Sequence, residues 1–121
     1  EFGFMAGDYD EGLDQARALA DQGKFVIYKK GNEGAISFFE SEEIRTGIYP
    51  VNAIKPNGAG DSFLAGMLAA IAHGSELKQA ILRGSACASI VVSNPGCAPA
   101  MPDMPTLNEF LKSHPGPTAI L

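Results

Sequence analysis

The first part of the chain combines a helical pattern of apolar residues with a short apolar run. Within residues 8–22, the apolar positions keep the spacing of one helical face: Leu13, Ala16, Leu19 and Ala20. Asp8 can cap this helix and Gly23 can end it. Residues 24–29 are almost continuously apolar between two lysines, which favours a strand buried on both faces of a parallel sheet.

Polar and glycine-containing turns separate the segments that follow. Residues 31–34 form a Gly-Asn-Glu-Gly turn, and residues 35–39 predict a second strand. A polar turn at 40–43 precedes a third extended segment at 44–51. We therefore expect one helix, one central strand and an antiparallel ribbon at the edge of the sheet.

The second half of the chain is helical in pattern. A helix is predicted from residue 58 or 59 to about 73, and its residues are apolar nearly all round, as in buried helices. Ser75 caps a second helix at 76–92, and Thr106 caps a short one at 107–113. These elements predict an α/β layered fold, in which ligands bind at strand ends and helix N-termini.

Composition narrows the classes of function. The chain has 121 residues and a net charge of −5, without a cluster of basic residues, so we expect no nucleic-acid partner. It has no apolar run long enough for a membrane span. The acidic start of the chain lacks the basic segment of a signal peptide. Cys87 and Cys97 are expected to be reduced structural thiols, because neither belongs to a CxxC motif or a zinc-binding spacing. We therefore expect a cytoplasmic protein. The chain begins without methionine, as a fragment or processed product would.

The strongest chemical signal is residues 57–63, Asn-Gly-Ala-Gly-Asp-Ser-Phe, at the start of the apolar helix. The first amides of a helix have no internal acceptor and lie at its positive end. Glycine lets a phosphate approach such amides closely. This pattern indicates phosphoryl transfer, with Asp61 as the base. The alternative is structural, because Asp is favoured in any first helical turn and small residues permit close packing.

The chain resembles the ribokinase (PfkB-type) family of carbohydrate kinases. The residues that carry the resemblance are the Gly-Ala-Gly-Asp-Ser-Phe of 58–63, the Gly-x-x-Gly turn of 31–34 and the Gly-Cys-Ala-Pro of 96–99. Within that family it is most similar to the kinases of 5-dehydro-2-deoxygluconate in inositol breakdown. The resemblance implies that residues 1–121 form the C-terminal, ATP-binding and catalytic-base portion of a three-layer α/β/α fold. Family members are more than twice as long.

The resemblance implies ATP-dependent phosphorylation of a sugar hydroxyl, with ATP and Mg²⁺ as cofactors. Asp61 would accept the hydroxyl proton, and an anion hole would hold the transferring phosphoryl group: Gly58, Ala59 and Gly60. The residues implied in nucleotide binding are Lys29, Gly31, Gly34, Asn57, Ser85 and Ala88. Glu1 matches the glutamate of an Asn-x-x-Glu motif that orders Mg²⁺ through water.

Lys55 departs from the family pattern. Many members have Asp at this position, where with nearby carbonyls and a hydroxyl it binds an activating monovalent cation, and Ala100 takes the place of the hydroxyl. A lysine would repel that cation. We expect the Lys55 ammonium to replace it and to donate to carbonyls near residues 94–96. A lysine pointing to solvent is the alternative.

Other functions remain open at this point. The chain could be an isolated nucleotide-binding or interaction module, or belong to a kinase of another sugar or of a nucleoside. We expect it to associate with the missing N-terminal portion or with copies of itself. Alone, it should be nearly inactive.

Overall fold

In the computed structural model, residues 9–114 and 116–117 can be described. They fall into two compact units, which divide between Arg45 and Thr46. The α/β class predicted from the sequence is confirmed. The cap predicted at Asp8 and the site residue Glu1 lie outside the described residues.

The first unit holds helix α1 (Tyr9–Asp21) and an antiparallel sheet of β1 (Val26–Lys29), β2 (Ala35–Phe39) and β3 (Glu42–Thr46), in the order β1-β2-β3. Its core joins the predicted apolar face of α1 to alternate residues of β2: Leu13, Ala16, Ile36 and Phe38. Gly12 brings the helix close to the sheet, because a side chain there would overlap the Tyr28 hydroxyl.

The prediction of β1 as a strand buried in a parallel sheet was wrong for the described residues. β1 pairs antiparallel with β2, with Val26 opposite Phe38 and Lys29 opposite Ala35. Three of its four residues are half-buried, and Lys29 is exposed. A continuous apolar run indicates a strand, but it does not show which strands lie beside it.

The β2–β3 connection is shorter than predicted. Glu40 and Ser41 both adopt positive φ, at 46° and 70°. Two left-handed residues in succession close a tight two-residue hairpin turn. β3 therefore begins at Glu42 and ends at Thr46, where the sequence had predicted a turn through 43 and an extended segment to 51.

The second unit is built on two long helices, α2 (Ala59–Ala72) and α3 (Leu77–Val92), followed by α4 (Met104–Ser113). Glycines let α2 and α3 meet closely. A Cβ on Gly84 would lie 2.6 Å from the Phe63 carbonyl oxygen, and one on Gly66 would lie 2.6 Å from Cys87 Sγ. α3 and α4 share a core of buried residues with the segment that precedes α2: Tyr49, Ala86, Cys87, Ile90 and Leu107.

The predicted N-caps of α3 and α4 were wrong by one and three residues, respectively. Glu76, not Ser75, is the residue that precedes α3. Asp103, not Thr106, caps α4, and its Oδ1 accepts from the Thr106 amide at 2.9 Å. Pro105 is in the first turn, where its missing N–H costs nothing, so the helix begins before this proline rather than after it.

Candidate phosphoryl-transfer site

The candidate site is the loop of residues 55–58 together with the first turn of α2, and Gly58 fixes its shape. Gly58 caps α2 with φ 86° and ψ −5°, a left-handed conformation that side chains disfavour. A Cβ on Gly58 would lie 3.2 Å from Val91 Cγ1 and 3.3 Å from Cys97 Cβ. The conformation and the packing both require glycine here.

Helical hydrogen bonding begins only at Ser62, near the end of the motif. The first bond runs from the Ser62 amide to the Gly58 carbonyl oxygen at 3.0 Å. The Ala59 amide makes only a long contact of 3.4 Å to the Pro56 carbonyl oxygen. By helix geometry, the amides of Gly60 and Asp61 also precede the first intrahelical bond. The turn can therefore offer successive N–H groups to an anion, at the positive end of α2.

Asp61 lies in this first turn, and its side chain is exposed. The next residue, Ser62, is fully buried and its hydroxyl donates back to the Ala59 carbonyl oxygen at 3.0 Å. The turn thus has one residue tied into the fold and, beside it, a carboxylate that a bound molecule can reach. A proton acceptor must be within hydrogen-bond reach of the group that it deprotonates, and an exposed side chain is open to such contact.

Lys55 connects the glycine loop to the end of α3. Its Nζ donates to the Val91 carbonyl oxygen at 2.8 Å and to the Asn57 carbonyl oxygen at 3.3 Å. Lys55 does donate to backbone carbonyls, as predicted, but its acceptors are Val91 and Asn57 rather than carbonyls near residues 94–96. The alternative of a lysine pointing to solvent was wrong. Sequence reasoning missed Val91, because no local signal links residues 36 positions apart.

The end of α3 is closely hydrogen-bonded around that lysine. Each of its last four carbonyl oxygens accepts at least one bond from a group outside the helix. The donors include Asn94 Nδ2 to the Ile90 carbonyl oxygen at 2.7 Å and the Ile54 amide to the Val92 carbonyl oxygen at 2.8 Å. A cation at this negative helix end is electrostatically favourable. Lys55 thus supports both the end of α3 and the loop that leads into α2.

The residues implied in nucleotide binding are divided between the two units. Lys29, Gly31 and Gly34 are together at the end of β1, where both glycines have positive φ and the Lys30 amide donates to the Gly34 carbonyl oxygen at 2.8 Å. The others are in the second unit: Asn57 is exposed, Ala88 is half-buried and Ser85 is only 6% exposed.

The cysteines differ in environment. Cys87 is buried between α2 and α3, and burial raises the pKa of its thiol against a smaller lowering by Arg83. Cys97 is exposed and touches the Gly58 position. Within residues 9–114 and 116–117, no three His, Cys, Asp or Glu side chains cluster as a metal site, and no helix is long and apolar enough to cross a membrane.

The sequence matches the model of the pfkB family of carbohydrate kinases over residues 1–104. It is 37% identical over 110 residues to the 5-dehydro-2-deoxygluconokinase of Geobacillus thermodenitrificans, a match covering 90% of this chain and 33% of that protein. The corresponding kinase of Geobacillus kaustophilus is 36% identical over 92 residues, which are 75% of this chain and 28% of that one. The chain therefore spans about a third of the length of these relatives.

Solved structures agree with the sequence match. Arabidopsis thaliana ribokinase, complexed with ribose and ATP, superposes with a TM-score of 0.77 at 29% identity, over 88% of this chain and 35% of that one. An E. coli protein provisionally named ribokinase II, in complex with ATP and Mg²⁺, also gives 0.77, at 27% identity, over 90% and 35%. The ribokinase-type fold predicted from the sequence is confirmed. The chain belongs to the PfkB family of carbohydrate kinases.

Proposed function

We propose that this chain forms the catalytic-base and phosphate-binding portion of an ATP-dependent sugar kinase whose acceptor is 5-dehydro-2-deoxygluconate. The observation that carries the proposal is the first turn of α2, where amides after a left-handed Gly58 adjoin the exposed carboxylate of Asp61. The acceptor is supported by the names of the Geobacillus relatives. In this proposal the sugar-contacting residues belong to the part of the relatives' length that this chain does not match.

In this mechanism Asp61 receives the proton of the attacking sugar hydroxyl. The amides of residues 58–61 hold the transferring phosphoryl group and stabilise its negative charge, which is the main task in phosphoryl transfer. A carboxylate suffices as the base when the transition state is loose and the proton leaves late.

Mg²⁺ fits this donor set only in part. It is commonly held by one or two carboxylates together with substrate phosphates and water, and the first turn of α2 supplies one carboxylate, that of Asp61. When bound with ATP, the ion would neutralise phosphate charge. Glu1, the other candidate, is outside the described residues.

Lys55 has a supporting role in this proposal. Its ammonium would stand in for the monovalent cation expected of related kinases, and it links the Asn57 carbonyl oxygen, beside Gly58, to the Val91 carbonyl oxygen through one hydrogen bond to each. The loop thereby keeps its shape without a bound ion. A compact ammonium with three donors is suited to bridging two carbonyl oxygens.

The test is a chimera of the G. thermodenitrificans kinase in which this chain replaces the matching 110 residues. We expect the chimera to phosphorylate 5-dehydro-2-deoxygluconate with ATP. Asp61→Asn should lower kcat by about 10²–10⁴-fold, the usual contribution of a general base, with little change in the KM for ATP. Glu76→Gln is the matched control, because it removes an exposed acid from the start of α3 and should leave kcat unchanged.

Two results would contradict the assignment. Lost ATP binding with unchanged kcat in Asp61→Asn would make Asp61 a structural cap. ATP binding by the chimera without transfer to this or any related sugar would favour a nucleotide-binding module. The isolated 121-residue chain should transfer almost no phosphate, because one reactant has no site in it and orientation of both reactants supplies much of the catalysis.

A further inference from the structure

Strand β3 forms one edge of the sheet in the first unit. The strand order is β1-β2-β3, so among the residues that the structure describes β3 pairs with a strand on one side only. Three of its five residues are exposed, namely Glu42, Glu43 and Arg45, and Ile44 is half-buried. An edge strand presents backbone N–H and C=O groups to which a further strand can bond. Proteins use such edges to add a strand from a partner.

The hairpin turn determines which backbone groups of β3 point outward. Because the turn between β2 and β3 has two residues, Glu42 is the first residue after it. The residues that flank such a turn exchange hydrogen bonds with each other, and bonded positions then alternate along each strand. The N–H and C=O groups of Glu42 and Ile44 therefore point toward β2. Those of Glu43 and Arg45 point away from β2, toward the open side of the edge.

The charges of β3 are complementary to a second, antiparallel copy of the same strand. When the two copies cross at Ile44, Glu43 of each strand lies opposite Arg45 of the other. This register also brings the outward backbone groups of Glu43 and Arg45 together as a hydrogen-bonded pair, and it makes Ile44 and its counterpart a non-hydrogen-bonded pair with close side chains. A crossing at Glu43 or at Arg45 would instead set like charges opposite each other, which is destabilising. Charge and backbone geometry thus select the same register.

We infer that β3 is a docking edge for a second copy of this chain, which adds its own β3 antiparallel across a two-fold axis. Two-fold symmetry makes the same surface meet itself, so each pair of Glu43 with Arg45 occurs twice. Two three-stranded sheets would join into one continuous sheet. The outward backbone groups of both strands would be bonded, and half-buried Ile44 would be covered by its counterpart.

Within a single chain the same two side chains bond to each other. Arg45 donates to Glu43 Oε1 from Nε at 3.1 Å and from Nη2 at 2.6 Å, and Arg17 Nη2 of α1 lies 3.8 Å from Glu43 Oε2. These side chains are 35–44% exposed, so a second strand can reach them without burying an unpaired charge. Exposed ion pairs contribute little each and are screened by salt. Two short strands also cover less area than a standard protein interface, so we expect a weak, salt-sensitive dimer.

The experiment reverses charges in the 121-residue chain and measures its association by sedimentation velocity at low salt. Glu43→Arg sets an arginine against Arg45 of the second copy, and Arg45→Glu sets a glutamate against Glu43. Since each like-charge pair would occur twice, we expect either variant alone to dimerise at least about tenfold more weakly than the unaltered chain. An equimolar mixture of the two variants should regain the dimer, because every opposed pair in the mixed dimer again has opposite charges.

Glu42→Arg is the matched control for Glu43→Arg. It changes the net charge by the same amount on the same strand, but residue 42 lies opposite the uncharged Thr46 of the second copy in this register. We expect this variant to dimerise like the unaltered chain. Circular dichroism checks that each variant is folded before its association is measured.

A disulfide gives a second, independent measurement. Ile44→Cys in a Cys97→Ser background places two cysteines directly opposite each other, in the type of pair whose Cβ atoms are close enough to be bridged. Mild oxidation should link two chains through residue 44, and adding Glu43→Arg should slow the linkage. The remaining thiol, that of Cys87, is buried. Lys112→Cys, on the exposed side of α4, is the control and should link much more slowly.

Three outcomes would overturn the inference. The first is an unaltered chain that stays monomeric at low salt and high concentration. The second is equal association of the unaltered chain and both charge-reversed variants, which would show that another surface joins the copies. The third is a mixture of folded variants that does not regain the dimer. None of these results depends on phosphate transfer, so the inference and the proposed function can fail separately.

Discussion

Gly58→Ala tests whether the glycine loop is held by conformation alone or also by packing. Gly58 and Gly74 provide a matched pair, because both have φ of 86°. A Cβ on Gly58 would lie between 3.2 and 3.4 Å from atoms of Val91 and Cys97, whereas one on Gly74 would meet nothing within 4 Å. The two substitutions should therefore share the energetic cost of a left-handed alanine, and they should differ only in the steric contacts that the new methyl group makes.

The expected magnitudes follow from these two environments. A left-handed backbone costs a residue with a Cβ about 1–2 kcal/mol, offset by roughly 0.4–1 kcal/mol because alanine restricts the unfolded chain. Gly74→Ala should therefore lower the free energy of unfolding by about 1 kcal/mol. At Gly58, overpacking against Val91 and Cys97 adds about 1–3 kcal/mol. We expect a total loss of about 2–4 kcal/mol there.

The assay is thermal and urea unfolding of the chain, followed by circular dichroism. For a unit of this size, 1 kcal/mol corresponds to about 4–8 °C, so the two variants should be clearly separated. Both glycines are in the second unit, so departures from two-state unfolding affect them alike. Equal losses would refute the packing argument. In the chimera, Gly58→Ala should also lower kcat/KM, and Gly74→Ala should not.

Other predictions concern charges and thiols in the second unit. If Lys55 replaces a cation, the chimera should be indifferent to potassium and Lys55→Asp should lose activity until potassium is added; strong potassium activation with Lys55 intact would end this idea. The Thr106 hydrogen bonds lower the pKa of Asp103, so its contribution to stability is present above its unfolded pKa and is lost as pH falls through the folded value. Asp103→Ala should accordingly lower the melting temperature at pH 7 but not in strong acid, and an equal loss at both would contradict the cap. A thiol reagent should modify exposed Cys97 rapidly and buried Cys87 only on unfolding, as peptide mass spectrometry can show.

Local patterns predicted the features that depend on neighbouring residues. The turn at 31–34, the start of α2 at Ala59 and the candidate roles of Gly58 and Asp61 were all available from the sequence, because glycine conformation and helix starts are short-range properties. The cap of α4 is also a local feature, but the sequence analysis placed it at Thr106 and the structure places it three residues earlier, at Asp103. Only the structure shows which side chain accepts the bond.

Features that depend on distant neighbours could not be predicted. The partner of Lys55 is Val91, and the order of residues gives no sign that the end of α3 meets the loop before α2. The pairing of β1 and the exposure of Leu64, Leu68 and Ile71 on α2 likewise depend on segments that are distant in the sequence. An apolar pattern indicates that a surface is buried, but it does not indicate which segment packs against that surface.

The close contact between Gly84 and Phe63 links position 84 to the helix that carries Asp61. The carbonyl of Phe63 follows Asp61 by two residues, and a methyl group on Gly84 would lie 2.6 Å from it. Accommodating an alanine would require α2 to move, and a displacement near 1 Å at a reacting group can cost about 10²-fold in rate. A genetic screen for kinase variants that fold but have lost activity should therefore find substitutions of Gly84 as well as of Asp61. Gly84 would appear in such a screen although it has no side chain and performs no chemistry.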